Sequence, residues 1–112
     1  MSDCIFCRII AGEIPAAFVK RTDHVVALRD TSPQAPTHIL ILPTEHIESV
    51  EQVKDGRLLG DMMIMGRDLA REIGIADSGY RIVVNTNRDG GQTVFHLHAH
   101  LLGGRRLTWP PG

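Results

Sequence analysis

The sequence carries no excess of positive charge. Its 112 residues hold twelve Lys and Arg against thirteen Asp and Glu, a formal net charge of -1. General binding of a nucleic-acid polymer through phosphate neutralisation is therefore disfavoured, while a nucleotide-sized anion stays open. No run of about eighteen uncharged apolar residues occurs, and "MSDCIFCRIIAGEIP" has no basic segment ahead of a long apolar core, so we expect a soluble cytoplasmic protein with no membrane partner. Only two cysteines are present, Cys4 and Cys7 in a CxxC spacing. In a reducing compartment that spacing reads as a metal or redox pair rather than a structural disulfide, although two ligands alone do not make a zinc site. Internal repeats and low-complexity tracts are absent as well. The length suits one domain over residues 1–112, with 104–112 as a short proline-stiffened tail, and a hydrophobic content of 43% is enough for a core.

Hydrophobic periodicity gives the elements. Ile5, Phe6, Ile9 and Ile10 fall at helical spacing and stop at Gly12, a short first helix that Pro15 ends. "AAFVKR" and "HVVALRD" are β-rich runs around a hairpin at Thr22-Asp23, and Asp30-Thr31-Ser32-Pro33 closes the second with turn chemistry. "THILILP" is a third strand, apolar enough for burial on both faces. Between Asp55 and Ile73, Leu58, Met62, Met65, Leu69 and Ile73 step at helical intervals with Leu59, Met63 and Ala70 alongside, so this is the main helix, halted by Gly74. Its methionines are assigned to packing. "GYRIVVN" and "FHLHAHLLG" are strands four and five. The connection between them carries Gly90-Gly91, which permit positive φ and close approach of backbone N–H groups to an anion. Trp109, in the tail, must pack on its own domain or on a partner.

The stretch "VFHLHAHLL" holds the most specific pattern. On a strand, His96, His98 and His100 share one face, and Phe95, Leu97, Ala99 and Leu101 share the other, core-facing one. On a helix successive histidines would diverge by roughly 200° and build no common site. At about 3.3 Å rise per residue the imidazoles start roughly 6 to 7 Å apart, which suits a phosphate chain. A histidine-rich metal tract or a solvent-facing edge strand is the alternative. A neutral imidazole can attack phosphorus and give a phospho-histidine that water later cleaves, while neighbouring histidines and amides hold the non-bridging oxygens. His38 joins from the third strand, and Gln92 and Thr93 could bond the leaving group. The central histidine is favoured as nucleophile because both neighbours can serve the same phosphate.

"GGQTVFHLHAHLLGGR" resembles the histidine triad (HIT) family, whose motif is His-x-His-x-His followed by two apolar positions, here Leu101 and Leu102. "EIPA", "DTSPQAPTHILILP", "GYRIVVNTN" and "WPPG" are similar to its Hint branch, the histidine triad nucleotide-binding proteins. The resemblance implies an α+β fold, a mostly antiparallel five-stranded sheet with one main helix and a short N-terminal helix, the sheet continued across a homodimer. It implies hydrolysis of purine nucleoside phosphoramidates, and of acyl-nucleotides, to the nucleoside monophosphate (AMP or GMP) through a nucleotidyl-histidine. His98 matches the nucleophile, His96 and His100 the flanking members, and His38 the supporting histidine of "PTH". Asn85, Gly91 and Thr93 match phosphate and leaving-group contacts. Asp30, followed by Thr31, matches the ribose-binding acid. Ile5, Phe6, Ile9 and Leu28 match the nucleobase slot, and Trp109 a residue reaching the neighbouring subunit's site. Some relatives carry an aromatic in place of Leu28. On pattern alone Asp30 reads as a turn acid, Asn85 as a loop starter, and Phe6, Ile9 and Leu28 as core.

The chemistry requires no metal. His46 and His96 could nevertheless complete a Cys2His2 tetrahedron with Cys4 and Cys7, a structural zinc of the kind some bacterial histidine triad proteins carry. His96 could then no longer hold a phosphate oxygen. The cysteines read otherwise as two small buried hydrophobes. Two rival functions remain at this level: dinucleoside polyphosphate hydrolysis, against which the "WPPG" tail argues, and a non-catalytic nucleotide- or zinc-binding interaction module.

Overall fold

A computed structural model describes residues 3–112. Helix α1 (Ile5–Ile10) is followed by strands β1 (Phe18–Arg21), β2 (Val25–Arg29) and β3 (Thr37–Pro43), helix α2 (Gly56–Ile73), strand β4 (Tyr80–Val84), the single turn α3 (Asn87–Gly90) and strand β5 (Ala99–Gly103). The strands form one antiparallel sheet in the order β1-β2-β3-β5-β4, an α+β arrangement of the class expected. β5 lies between β3 and β4, so the histidine-bearing segment enters the middle of the sheet.

Helix α2 keeps the bounds its periodicity predicted. Asp55 caps it by accepting the Arg57 N–H at 2.9 Å, and Gly74 ends it in the left-handed region at φ 95°. Met62, Met65, Leu69 and Ala70 pack against Val25, Ala27, Ile39, Ile41, Ala99 and Leu101 on one face of the sheet. Gly66 permits that approach: a Cβ there would come within 2.9 Å of Ile82 Cδ1 and 3.2 Å of Ile41 Cδ1. Met63, assigned to the core from its spacing, is instead 50% exposed, because it turns away from the strip that meets the sheet; Ile73 is also exposed. Alternate residues of β2 and β3, namely Val26, Leu28, Leu40 and Leu42, face the other way and bury Phe6 and Ile9 of α1. All seven residues of β3 are buried.

Strand β5 is shorter than the alternation predicted. It starts at Ala99, so His96 and His98 precede it and only His100 sits on it. β4 runs out at that point: Ala99 pairs with Val84, its last residue, and with Ile41, beyond which β3 continues to Pro43 paired with β2 alone. Two residues beyond Ile41, Pro43 has no N–H to donate, and its carbonyl is taken by the His96 ring. The segment instead anchors through Leu97 N–H to the Ile47 carbonyl at 2.7 Å. Leu97 stays in the core, but Phe95, expected beside it, is 47% exposed.

Candidate active site

The four histidines of the motif region divide into two groups. His96 is fully buried and turned toward α1: its Nδ1 lies 3.3 Å from Cys4 Sγ and 3.4 Å from Cys7 Sγ, while Cys7 Sγ is 3.2 Å from His46 Nδ1. Phe6 of α1 packs edge-on to both His96 and His98, at 5.8 and 5.1 Å between centroids; His98 and His100 follow with ring centroids 5.0 Å apart, and His100 meets His38. His96, His98 and His100 all face away from the core that takes Leu97, Ala99 and Leu101, as the alternation predicts. Within that row His96 serves the cysteines, while His98 and His100 lead to His38.

Hydrogen bonds to groups of fixed polarity determine the tautomers. His98 Nδ1 lies 2.7 Å from the His96 carbonyl and must donate to it, which leaves Nε2 with its lone pair. His38 Nδ1 accepts the Gln34 N–H at 3.0 Å, so neutral His38 carries its proton on Nε2 and donates to His100 Nδ1 at 2.9 Å. His100 then presents Nε2–H. The result is one imidazole with a free lone pair beside another with a free donor.

Burial pushes the His98 pKa below the usual 6.5, opposed by the bond to the His96 carbonyl and by the Asp30 charge. His100 is pushed down to about 4, first by burial and then by His98 and His38, with Asp30 opposing. At neutral pH both are uncharged. Burial likewise lowers His96, against the pull of its bond to the Pro43 carbonyl.

Asp30 holds two positions at once. Its Oδ1 accepts the Ser32 N–H at 2.7 Å, the turn role, while Oδ2 stands 3.4 Å from His38 Nε2. Thr31 is exposed next to it, and Asn85 is half-buried just past β4. Phe6, Ile9 and Leu28 pack together as expected of a slot or a core, and Phe6 stands edge-on to His98 with centroids 5.1 Å apart; Ile5 lies on the outer side of α1, exposed. Gly91 takes φ 84° as the C-cap of α3. Thr93 is exposed. Gln92 cannot serve a leaving group as it stands. It is buried, its Oε1 accepts the Asn87 N–H, and its Nε2 donates to the Glu48 and Val94 carbonyls. Trp109 is 80% exposed, its ring met by Arg81, so its own domain does not pack it.

Cys4, Cys7, His46 and His96 bring their four donor atoms within 4.8 Å of one another. Sulfur–nitrogen separations of 3.2 to 3.4 Å approach the roughly 3.5 Å edge of a tetrahedron with zinc bond lengths. His96 Nε2–H donates to the Pro43 carbonyl at 2.8 Å, the outer bond that orients a ligating imidazole. The donor set fits a tetrahedral metal. Asp30, His38 and His100 also cluster, but there the 2.9 Å contact is a hydrogen bond and the group reads as a proton chain. Sequence reasoning missed the Gln34 N–H and the Pro43 carbonyl, because backbone groups leave no side-chain signature.

The profile of the HIT domain matches residues 11–107. The chain belongs to the HIT family. Purine nucleoside phosphoramidase of Escherichia coli K12 is 50% identical over 107 residues, covering 94% of this chain and 90% of that protein. A HIT-like protein of Synechocystis is 44% identical over 112 residues, covering 98% and 97%. Among solved structures, a HIT family hydrolase from Legionella pneumophila superposes with a TM-score of 0.95 at 49% identity, covering 98% of this chain and all of that one. A histidine triad nucleotide-binding protein from Candida albicans gives 0.83 at 30%, covering 96% and 83%. The HIT relationship agrees with the fold. Among the described residues, no helix of this HIT protein is long and apolar enough to cross a membrane.

Proposed function

We propose that this protein hydrolyses purine nucleoside phosphoramidates, and acyl-nucleotides, through a nucleotidyl-His98 intermediate. The observation that carries the reading is the neutral His98 whose Nδ1–H is taken by the His96 carbonyl, leaving Nε2 to attack. Attack of Nε2 on phosphorus forms the N–P bond and breaks the bond to the amine, whose nitrogen leaves with a proton drawn from solvent; the later attack of water on phosphorus returns that proton and frees His98. His100 Nε2–H is the donor available to the departing nitrogen or a non-bridging oxygen, with His38 behind it. Water then cleaves the intermediate and releases AMP or GMP. Asp30 would accept the ribose hydroxyls, Phe6, Ile9 and Leu28 would border the base, and Asn85, Gly91 and Thr93 would line the phosphate. The half-identical phosphoramidase supports this choice over dinucleoside polyphosphate hydrolysis.

Cys4, Cys7, His46 and His96 would hold a structural zinc, which contributes fold rather than chemistry. A homodimer joined along the exposed edge strand β4 would give Trp109 the partner surface that its own domain does not offer. Incubation with an adenosine phosphoramidate tests the reading. Release of amine together with AMP supports it, whereas stoichiometric nucleotide binding without turnover by the intact protein favours a binding module.

A further inference from the structure

We propose that Arg105 is a positioning residue that sets the direction of the His38–His100 proton chain. The guanidinium grips the loop that precedes β3: Nε and Nη2 both donate to the Gln34 carbonyl, at 3.2 and 3.0 Å. Across the same α-carbon, the Gln34 N–H donates to His38 Nδ1 at 3.0 Å. The Gln34 side chain ties the loop to itself through the Ser32 carbonyl at 2.9 Å. Gly104 makes this grip possible. It turns the chain at φ 87° directly after β5, where a Cβ would come within 2.8 Å of Pro36 Cβ, and so delivers Arg105 against the loop.

The consequence is chemical. With the Gln34 N–H in place, His38 keeps its proton on Nε2, His100 accepts it at Nδ1, and His100 offers Nε2–H toward the reacting group. If that N–H drifts, His38 is free to take its proton on Nδ1, its Nε2 becomes an acceptor for His100 Nδ1–H, and the donor at His100 Nε2 is lost. Arg is suited to the task because its planar fork directs two N–H groups at one carbonyl, which an ammonium on a flexible stem does not reproduce. This inference rests on the proposed hydrolysis for its kinetic effect, but not for its effect on tautomers.

The test is 15N NMR of histidine-labelled wild type, R105A and R105K, with steady-state kinetics on an adenosine phosphoramidate. Wild type is expected to show His38 and His100 as Nε2–H tautomers. R105A is expected to gain Nδ1–H population at both, with kcat down about tenfold and KM within about twofold, a loss typical of slight misplacement; R105K recovers part of it. Unchanged tautomers in R105A overturn the inference, whether or not kcat falls. A tautomer shift in a protein whose wild type lacks phosphoramidase activity upholds the role of Arg105 and sinks the proposed reaction instead. If R105A does not fold, R105Q, which keeps one donor, is judged by the same spectra.

Discussion

The carbonyl oxygen of His96 accepts the Nδ1–H of His98 at 2.7 Å, so the residue that faces the cysteines also fixes the tautomer of the residue we assign as nucleophile. His96 is itself held at both ring nitrogens, by the Pro43 carbonyl on one side and the thiols on the other. The two clusters are therefore joined by one hydrogen bond.

The pH dependence of turnover follows from this arrangement. Attack needs neutral His98, whose pKa burial lowers from 6.5, and a neutral His100, pushed down to about 4. As pH falls, protonation of His98 removes its lone pair, and protonation of His100 removes the acceptor at its Nδ1. We expect kcat/KM to be level at and above neutrality and to fall only below 6.5, with a further loss near 4. An acidic limb centred at or above 6.5 contradicts the assignment.

The same shift sets a stability trend. Because folded His100 titrates at about 4 and the unfolded chain at 6.5, the unfolded state binds more protons between these values, and stability falls as pH drops through that window. Below about 4 this contribution levels off. Denaturant midpoints of wild type and His100→Gln across this window check it: the variant should show the shallower decline, and parallel declines contradict the shift.

Asp30→Asn separates the two positions of that carboxylate. The amide oxygen can still accept the Ser32 N–H, so the turn survives, but the charge suited to ribose hydroxyls is gone. We expect KM to rise about tenfold while kcat changes less. Unchanged KM returns Asp30 to the turn alone.

How much of this was legible in the sequence depends on where neighbours decide the outcome. Helix α2 was readable from Asp55 to Gly74 because cap residues and period agree, and β3 because its seven residues are apolar and end at a proline. The start of β5 at Ala99 was not. Its cause is the end of pairing at Ile41 and Val84, set by partners distant in sequence. The Cys2His2 grouping was found from residue types, whereas the commitment of Gln92 to Glu48 and Asn87 depends on backbone groups that no motif encodes.

Metal removal probes the link between the clusters. Elemental analysis should find about one zinc per chain, lost in Cys7→Ser and His46→Ala, if the four donors act as a tetrahedral site. Chelation should lower Tm and slow turnover together, since the His96 carbonyl holds His98. A zinc-free protein whose Tm does not change on adding zinc contradicts the site.

The most direct measurement is intact-protein mass spectrometry of wild type and His98→Gly, quenched rapidly without acid during reaction with an adenosine phosphoramidate. The account predicts an adenylyl adduct on wild type alone, AMP accumulating, and at least about a 100-fold loss of turnover in the variant. Turnover in the variant above about one percent of wild type, or turnover by wild type with no adduct at any time, would contradict nucleophilic attack by His98.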